Sequence, residues 1–287
     1  MPKNLTDDLI AASPNRRSFL KTLGAASAGV AALSLNGVLP AKAATSIEVE
    51  VLNFALNLEY LEAEFYTYSV YGKGIEQFDI SVNGIANGSN SPNGGTTTGG
   101  QIVHFPVPLS YNIAVQIGSD ERRHVNLLRE ALGADRVARP DINLNALGLG
   151  TGNINDFARQ ARIFEDIGVT AYAGAAGLLS TPAIITYAAR ILATEAQHVG
   201  TIRNQIAFYN VTTSALDGAD LIPPPSGASS QVLSSYYLNG LPATRTPGQV
   251  LHLAFGGSGL TRGGFFPNGV NGAITTSTSA ATASNVT

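Results

Sequence analysis

The sequence of 287 residues contains no cysteine and no tryptophan, and its one methionine is Met1. The absence of cysteine excludes disulfide scaffolds, thiolate metal sites and cysteine nucleophiles. Charged residues are scarce, at 13% against about 25% in ordinary soluble domains. The formal net charge of −3 argues against a nucleic-acid partner bound through its phosphates. Apolar residues make up 44%, so the chain can bury a sizeable core while Gly, Ser, Thr and Asn cover much of its surface.

Residues 1–43 have the organisation of an export signal. A polar stretch leads to Arg16-Arg17, an alanine-rich apolar run follows over residues 23–39, and Ala41-Lys42-Ala43 forms an A-x-A arrangement. This order is typical of a secretory signal peptide, and the paired arginines indicate the twin-arginine type. The apolar run is short for a membrane span, so a cleaved signal is favoured over an uncleaved anchor. We therefore expect a periplasmic or extracellular protein with no membrane attachment after cleavage.

Four long helical patterns follow the signal, over residues 46–71, 108–132, 155–180 and 182–209. Ser46 is a plausible N-cap for the first helix, with acidic residues in the turns behind it. Gly133 is suited to close the second helix, and Thr181-Pro182 is suited to begin the fourth. Each pattern covers about 25 residues, or roughly 38 Å, and helices of equal length favour a side-by-side bundle.

The connections between these helices predict their order in space. A tight turn joins the third and fourth helices, which makes them antiparallel neighbours. Residues 134–154 could extend over about 69 Å, enough to cross the whole bundle between the second and third helices. Residues 72–107 form a Gly/Asn/Ser/Thr-rich insertion, read as a surface loop or a small extended excursion. The sequence thus predicts an all-α four-helix bundle with a long crossover over residues 46–209.

The C-terminal extension, residues 210–287, is rich in Pro, Gly, Ser and Thr and looks irregular. An apolar island at residues 250–255 is expected to dock on the bundle. The last dozen residues have the composition of a disordered segment.

Two of the four histidines follow a glutamate by three residues, in Glu121-Arg122-Arg123-His124 and in Glu195-Ala196-Gln197-His198. This spacing places the carboxylate and the imidazole on one face of a helix, one turn apart. Apolar residues flank both pairs at helical spacing, so the pairs are expected to point inward: Ile117, Val125, Leu128, Ile191, Val199 and Ile202.

The first and third helices each carry an interior glutamate, Glu59 and Glu165, at the middle of the helix. One glutamate from each of two helices, together with Glu-x-x-His from the other two, is the ligand set of carboxylate-bridged di-iron and di-manganese bundles. Four buried carboxylates without cations would repel one another and be driven to take up protons. The pattern therefore predicts a site for two ions, either iron or manganese.

The same spacing between a glutamate and a tyrosine occurs in both halves of the bundle. Tyr66 follows Glu59 by seven residues, and Tyr172 follows Glu165 by seven. Seven residues are about two turns, so each tyrosine lies on the stripe of its glutamate. The two tyrosines are either hydrogen-bond donors that orient the metal ligands, or core residues with satisfied hydroxyl groups.

The sequence resembles the ferritin-like domain of the desiccation-related protein family over residues 46–209, and it is more distantly similar to ferritins, bacterioferritins, rubrerythrins and manganese catalases. The resemblance rests on Asn57-Leu58-Glu59 through Phe65-Tyr66, on the run from Asp120 to His124, and on the run from Glu195 to His198. It implies a ferritin-like fold with metal ligands at Glu59, Glu121, His124, Glu165, Glu195 and His198. Glu62, one turn beyond Glu59, could replace that residue or join it. The export signal, the insertion and the extension depart from storage ferritins and argue against an iron-storage cage.

Four further residues are predicted to lie outside the site. Glu64 and Glu130 are expected to face solvent, and His104 and His252 fall outside the bundle helices and receive no role.

Three functions remain open at this point. The first is an exported dinuclear oxidoreductase, ferroxidase-like or catalase-like, that acts on dioxygen or hydrogen peroxide. The second is a protein that binds iron or manganese without turnover, and the third is a structural stress protein in which metal staples the bundle. An oxygen and nitrogen ligand set accepts either metal. Wide apolar helix faces suggest a homo-oligomer.

Overall fold

The computed structural model describes residues 45–86, 89–91, 93–150, 152–229 and 240–283, and the predicted export signal lies outside them. Four long helices form the bundle: α1 (Ser46–Tyr71), α2 (Pro108–Leu132), α3 (Ile154–Ala175) and α4 (Pro182–Phe208). A fifth helix, α5 (Pro247–Phe255), lies in the C-terminal extension. The short strands are β1 (Gly84–Ala86), β2 (Ser89–Ser91), β3 (Thr97–Thr98) and β4 (Ile142–Asn143). Short 3₁₀ turns lie at Ile75–Phe78, Gly133–Asp135 and Ala176–Leu178. The predicted all-α class is confirmed.

The first helix spans the predicted residues 46–71, but its N-cap differs from the predicted one. Thr45, not Ser46, is the N-cap: its hydroxyl accepts from the Glu48 N–H, and Glu48 Oε2 accepts from the Thr45 N–H at 2.8 Å. Thr45 can act as the N-cap because it lies three residues before Glu48, which is the spacing that a capping box requires. Glu48 Oε1 also accepts from the backbone N–H groups of Ser180 and Thr181, each at 2.7 Å. This one carboxylate therefore ties the start of α1 to the turn before α4.

The ends of the middle helices differ in how well they were predicted. Gly133 closes α2, as expected, with a positive φ of 56°. In contrast, α3 ends at Ala175 rather than at residue 180, and the chain tightens into the 3₁₀ turn before Thr181. Proline at position 182 keeps Thr181 extended, with φ −77° and ψ 118°, so the helical pattern cannot continue unbroken into α4.

The helices follow the predicted order in space. Tyr66 of α1 packs against Gly118 of α2, whereas Glu59, two turns earlier, lies against His124, so these helices are antiparallel. Tyr66 also contacts Glu165 of α3, and Glu59 contacts Tyr172, so α1 and α3 are antiparallel as well. It follows that α2 and α3 run in the same direction. The segment that joins them must therefore return along the bundle, which is the predicted long crossover.

The insertion after α1 is held by this crossover. Strands β1 and β2 form an antiparallel pair, and β3 pairs in parallel with β4 of the crossover. Ile85 of the insertion exchanges backbone hydrogen bonds with the crossover, donating to Arg136 O at 3.0 Å and accepting from Ala138 N–H at 2.9 Å. The insertion is thus a small extended excursion that covers one side of α1.

The prediction that Glu64 faces solvent is wrong. Glu64 is fully buried in α1 and forms an ion pair with Arg139 of the crossover. Burial raises the pKa of Glu64 to about 7, even though Arg139 acts in the opposite direction. The prediction failed because the helical pattern of α1 cannot show that the insertion and the crossover cover its outer side. Glu130 of α2 is exposed, as predicted.

The C-terminal extension packs on the bundle. Residues of α5 and of the segment after it belong to the main hydrophobic core: Val250, Leu251, Ala254, Phe255, Phe265, Phe266 and Val270. The predicted docking of residues 250–255 is therefore confirmed. The predicted disorder of the last dozen residues is wrong for 276–283, where Ser277 N–H donates to Leu260 O at 2.8 Å and Thr278 N–H donates to Gly248 O at 2.9 Å.

Buried ion pairs also fasten the extension to the bundle. Arg162 of α3 donates to both carboxylate oxygens of Asp220, at 2.6 and 2.5 Å, and its Nε lies 2.8 Å from Asp166. Arg203 of α4 reaches the same Asp166 at 2.6 Å. All four side chains are almost completely buried, so each charge depends on its partner.

Among the described residues, none of the helices is both long enough and apolar enough to cross a membrane.

Candidate metal centre

All seven predicted ligands are buried at mid-bundle, and they come from all four long helices. Two lie on α1, two on α2, one on α3 and two on α4: Glu59, Glu62, Glu121, His124, Glu165, Glu195 and His198. The flanking apolar residues of both Glu-x-x-His pairs are also buried, which turns the two pairs inward.

The first group of side chains consists of Glu59, Glu121, His124 and Glu195, whose candidate ligand atoms all lie within 4.8 Å of one another. His124 Nδ1 is 3.2 Å from Glu59 Oε2, 3.1 Å from Glu121 Oε2 and 3.2 Å from Glu195 Oε1. Three carboxylates and one imidazole thus converge on one point.

The second group consists of Glu121, Glu165, Glu195 and His198, with the same limit of 4.8 Å between ligand atoms. His198 Nδ1 lies 2.9 Å from Glu121 Oε1 and 3.3 Å from Glu165 Oε2. Glu121 and Glu195 belong to both groups, whereas Glu59 and Glu165 each belong to one. The arrangement has a shared pair of carboxylates between two outer ones.

Glu62 belongs to neither group but lies beside them. It is buried on α1, and a Cβ atom built on Gly168 would lie 3.4 Å from Glu62 Oε1 and 2.8 Å from Glu195 Oε2. Of the two alternatives on α1, the geometry places Glu59 among the converging ligand atoms. Glu62 stands next to them as an additional buried carboxylate.

The two tyrosines bind the outer glutamates in a crossed manner. The Tyr172 hydroxyl donates to Glu59 Oε1 at 2.5 Å, and the Tyr66 hydroxyl donates to Glu165 Oε1. Each tyrosine therefore supports the glutamate of the other half of the bundle, not the one on its own helix. Such contacts orient a ligand and fix which of its oxygens faces the metal.

Burial and mutual repulsion set the protonation of the carboxylates. Burial raises the pKa of Glu59 to about 7, although His124 acts against this shift. The pKa values of Glu62 and Glu195 are raised well above their usual range, first by burial and then by neighbouring carboxylates. The cluster therefore holds more negative charge than it can keep without cations.

The histidines show the same demand for positive charge. Burial lowers the pKa of an imidazole, but surrounding carboxylates overcome this effect and raise the pKa of His124 and His198 far above its usual range. Burial likewise opposes ionisation of Glu121, but the charge of His198 and the hydrogen bond with His124 hold its pKa well below its usual value. Protons and metal ions would compete for the same groups.

Buried polar atoms that lack a hydrogen-bond partner indicate whether metal ions fit these residues. Within the described residues, buried atoms without a hydrogen-bond partner include Glu121 Oε1, Glu165 Oε2, both carboxylate oxygens of Glu195 and His198 Nδ1. Some of these atoms lie close together, as Glu121 Oε1 and His198 Nδ1 do at 2.9 Å, but they are not aligned for a hydrogen bond. Buried polar atoms are rarely left unpaired, and a metal ion would satisfy this set. The donor set of carboxylates and imidazoles suits iron or manganese.

Asp120, which precedes Glu121 in the sequence, is a further neighbour of the site. Its carboxylate lies 3.6 Å from His198 Nε2, on the side of the ring that faces away from the ligand cluster, and it also accepts from Arg123 at 3.0 Å. A carboxylate behind a metal-binding histidine orients the ring. His104, which is exposed, and His252, whose Nδ1 lies 3.1 Å from Ser258 Oγ, take no part in either group, as expected.

Comparisons with known proteins found similar proteins and a matching domain family. The chain is 26% identical over 276 residues to the ferritin-like catalase Nec2 of Nesocodon mauritianus, covering 79% of this chain and 84% of that protein. It is 28% identical over 173 residues to the desiccation-related protein PCC13-62 of Craterostigma plantagineum, covering 54% of this chain and 52% of that protein. No solved structure was found to match. The sequence profile of the ferritin-like domain matches residues 47–207, and the chain therefore belongs to the ferritin-like domain family.

Proposed function

We propose that this protein binds two iron or two manganese ions in a carboxylate-bridged centre and carries out redox chemistry on dioxygen or hydrogen peroxide. The observation that carries the proposal is the sharing of Glu121 and Glu195 between two groups of four buried ligands. Two shared carboxylates between two imidazole-bearing groups suit a pair of cations better than a single one.

Each residue has a defined task in this proposal. Glu59 and His124 would hold one ion, Glu165 and His198 the other, and the shared pair would lie between them. When bound, the metal pair supplies the one-electron redox steps that protein side chains cannot provide. The surrounding burial excludes bulk water, and the tyrosines keep the outer carboxylates turned toward the centre.

Hydrogen peroxide is the favoured substrate. A relative aligned over most of both chains is named a ferritin-like catalase. In such a reaction two peroxide molecules yield two water molecules and one dioxygen: one peroxide is oxidised, the other is reduced, and no outside reductant is required. A ferroxidase would instead consume ferrous iron and reduce dioxygen.

Metal content and oxygen release test the proposal on protein produced with its export signal. We expect about two iron or manganese ions per chain by elemental analysis, and oxygen release from peroxide at an oxygen electrode. Glu121→Ala should lose both properties, while Glu130→Ala, on the exposed side of the same helix, should keep them. Fully metallated protein without turnover of peroxide or dioxygen would reject the catalytic proposal.

A structural role in drying is the second candidate, supported by the desiccation-related relative. Metal would then act as a staple that joins the four helices. In this case Glu121→Ala should lose metal but keep protection of a test enzyme in a drying assay. Loss of protection in metal-free protein that is still folded would argue against a purely structural role.

Export is proposed on the sequence of residues 1–43. A twin-arginine route carries folded proteins, so the metal could be loaded in the cytoplasm before transport. The mature protein would then work in the periplasm or outside the cell.

A further inference from the structure

An apolar cavity of about 20 Å³ lies directly beside the candidate metal centre. It is bounded by α1, α3, α5 and the segment after α5, and its wall includes Leu61, Phe164, Val250, Ala254 and Phe265. Glu62 is the ionisable residue of this wall. A volume of about 10–15 Å³ is enough to hold one water molecule, so the cavity suits a molecule of that order of size.

Gly168 keeps the cavity in contact with the ligand cluster. Glycine is unfavourable inside a helix, and Gly168 lies well within α3. A Cβ atom at this position would lie 2.8 Å from Glu195 Oε2 and 3.4 Å from Glu62 Oε1. Any side chain here would therefore occupy the space between the cavity and the two carboxylates.

A second apolar cavity, of about 30 Å³, also touches Leu58, and more of its wall residues are half-buried than in the first, which we call the inner cavity. Its wall includes Ala171 and Tyr172, together with the half-buried Ala175 and Leu179. Leu58 is itself half-buried and lines both cavities. The two cavities therefore follow α1 from the end of α3 inward to Glu62.

We propose that these cavities form the path by which a small uncharged oxidant reaches the centre, and that Gly168 and α5 set its size limit. The inference rests on the proposed function and narrows its substrate class. Molecules the size of hydrogen peroxide or dioxygen pass, whereas bulky organic hydroperoxides do not. The apolar wall admits a neutral molecule without the cost of stripping water from an ion.

Xenon tests the path independently of turnover, because it occupies apolar cavities in pressurised crystals. We expect xenon in the inner cavity of the unaltered protein, with or without metal. Ala254→Leu should exclude xenon and lower kcat/KM for hydrogen peroxide about tenfold at unchanged metal content. Ala189→Leu, the same change at an exposed position of α4, should alter neither property.

A second variant acts in the opposite direction and avoids overpacking. Val250→Ala enlarges the inner cavity from the side of α5, a helix that carries none of the candidate ligands. It should raise xenon occupancy of the inner cavity. It should also raise the ratio of the reaction rate with tert-butyl hydroperoxide to the rate with hydrogen peroxide.

The binding rate of nitric oxide to the ferrous protein separates the two proposals. Nitric oxide is small and uncharged, so Ala254→Leu should slow its binding about tenfold even if peroxide turnover is absent. Metallated protein without turnover would reject the proposed function alone. Absence of xenon from the unaltered protein, or unchanged peroxide and nitric oxide rates in Ala254→Leu, would overturn the proposed path.

Discussion

The hydroxyl group of Tyr172 on α3 donates a 2.5 Å hydrogen bond to Glu59 on α1. Tyr66 on α1 makes the reciprocal contact with Glu165 on α3. In each half of the bundle, a tyrosine thus donates a hydrogen bond to the outer glutamate of the other half. Burial and the adjacent glutamate raise the pKa of both tyrosines well above the usual value, so they remain donors at physiological pH.

Removing one of these donors should weaken the centre without unfolding the bundle. We expect Tyr172→Phe to lower metal affinity or turnover about 10–100-fold, because a metal ligand loses its orienting partner. Competition with a chelator measures the affinity. Tyr187→Phe on α4, whose described ring contact is with Arg190, serves as the control. Equal affinities in the two variants would show that the Tyr172 hydrogen bond does not orient a ligand.

The shared and the outer glutamates should differ when each is removed. Glu59 belongs to one ligand group, so Glu59→Ala should retain about one ion per chain, whereas Glu195→Ala should retain almost none. Elemental analysis after dialysis gives the stoichiometry. Glu130→Ala provides the unaffected reference. Two retained ions in Glu195→Ala would contradict a bridging role.

Glu48 should contribute to stability in a pH-dependent way. Burial would raise its pKa, but the N–H groups of Thr45, Thr181 and Ser180 outweigh burial and lower the pKa from 4.5 to about 2. Because the folded-state value is depressed, the contribution is fully present above pH 4.5 and is lost as the pH falls toward 2. Glu48→Gln should lower the free energy of unfolding by about 1–2 kcal/mol at neutral pH.

Urea unfolding at neutral pH and at several acidic pH values measures this difference. The gap between the unaltered protein and Glu48→Gln should narrow as the solution is acidified below pH 4.5. Glu50→Gln, at an exposed position two residues further along α1, should show no such gap. A gap that stays constant with pH would mean that the charge of Glu48 is not what stabilises the turn.

Breaking the buried ion pair between Arg162 and Asp220 should loosen the C-terminal extension. Asp220→Ala leaves a buried guanidinium with Asp166 as its remaining carboxylate partner, itself shared with Arg203. We expect a loss of about 3–5 kcal/mol in the free energy of unfolding. Asp135→Ala, at an exposed position, should change it by less than about 0.5 kcal/mol. Similar urea midpoints for the two variants would show that these ion pairs do not hold the C-terminal extension on the bundle.

Replacing both arginines of the export signal should block transport. Arg16→Lys combined with Arg17→Lys keeps the charge but removes the paired arginines that define a twin-arginine signal. Cell fractionation should then find the precursor in the cytoplasm, whereas Lys21→Arg should be exported normally. Normal export of the double variant would assign the protein to another route.

Helical spacing alone was enough to predict the bundle and most of the centre. Glu121 and His124, three residues apart, necessarily share a helix face, and apolar neighbours at the same spacing turn that face inward. Equal helix lengths and the long connection after Gly133 then predict the order of the helices. These features are local, so they can be read before any fold is known.

Contacts between distant segments were decided by the tertiary structure. Nothing near Glu64 in the sequence shows that Arg139 will cover it. The choice of Glu59 over Glu62 as a converging ligand likewise depends on how α1 rotates against three other helices. Periodicity specifies which residues share a face, but only packing specifies what that face meets, because the partners are separated by tens of residues along the chain.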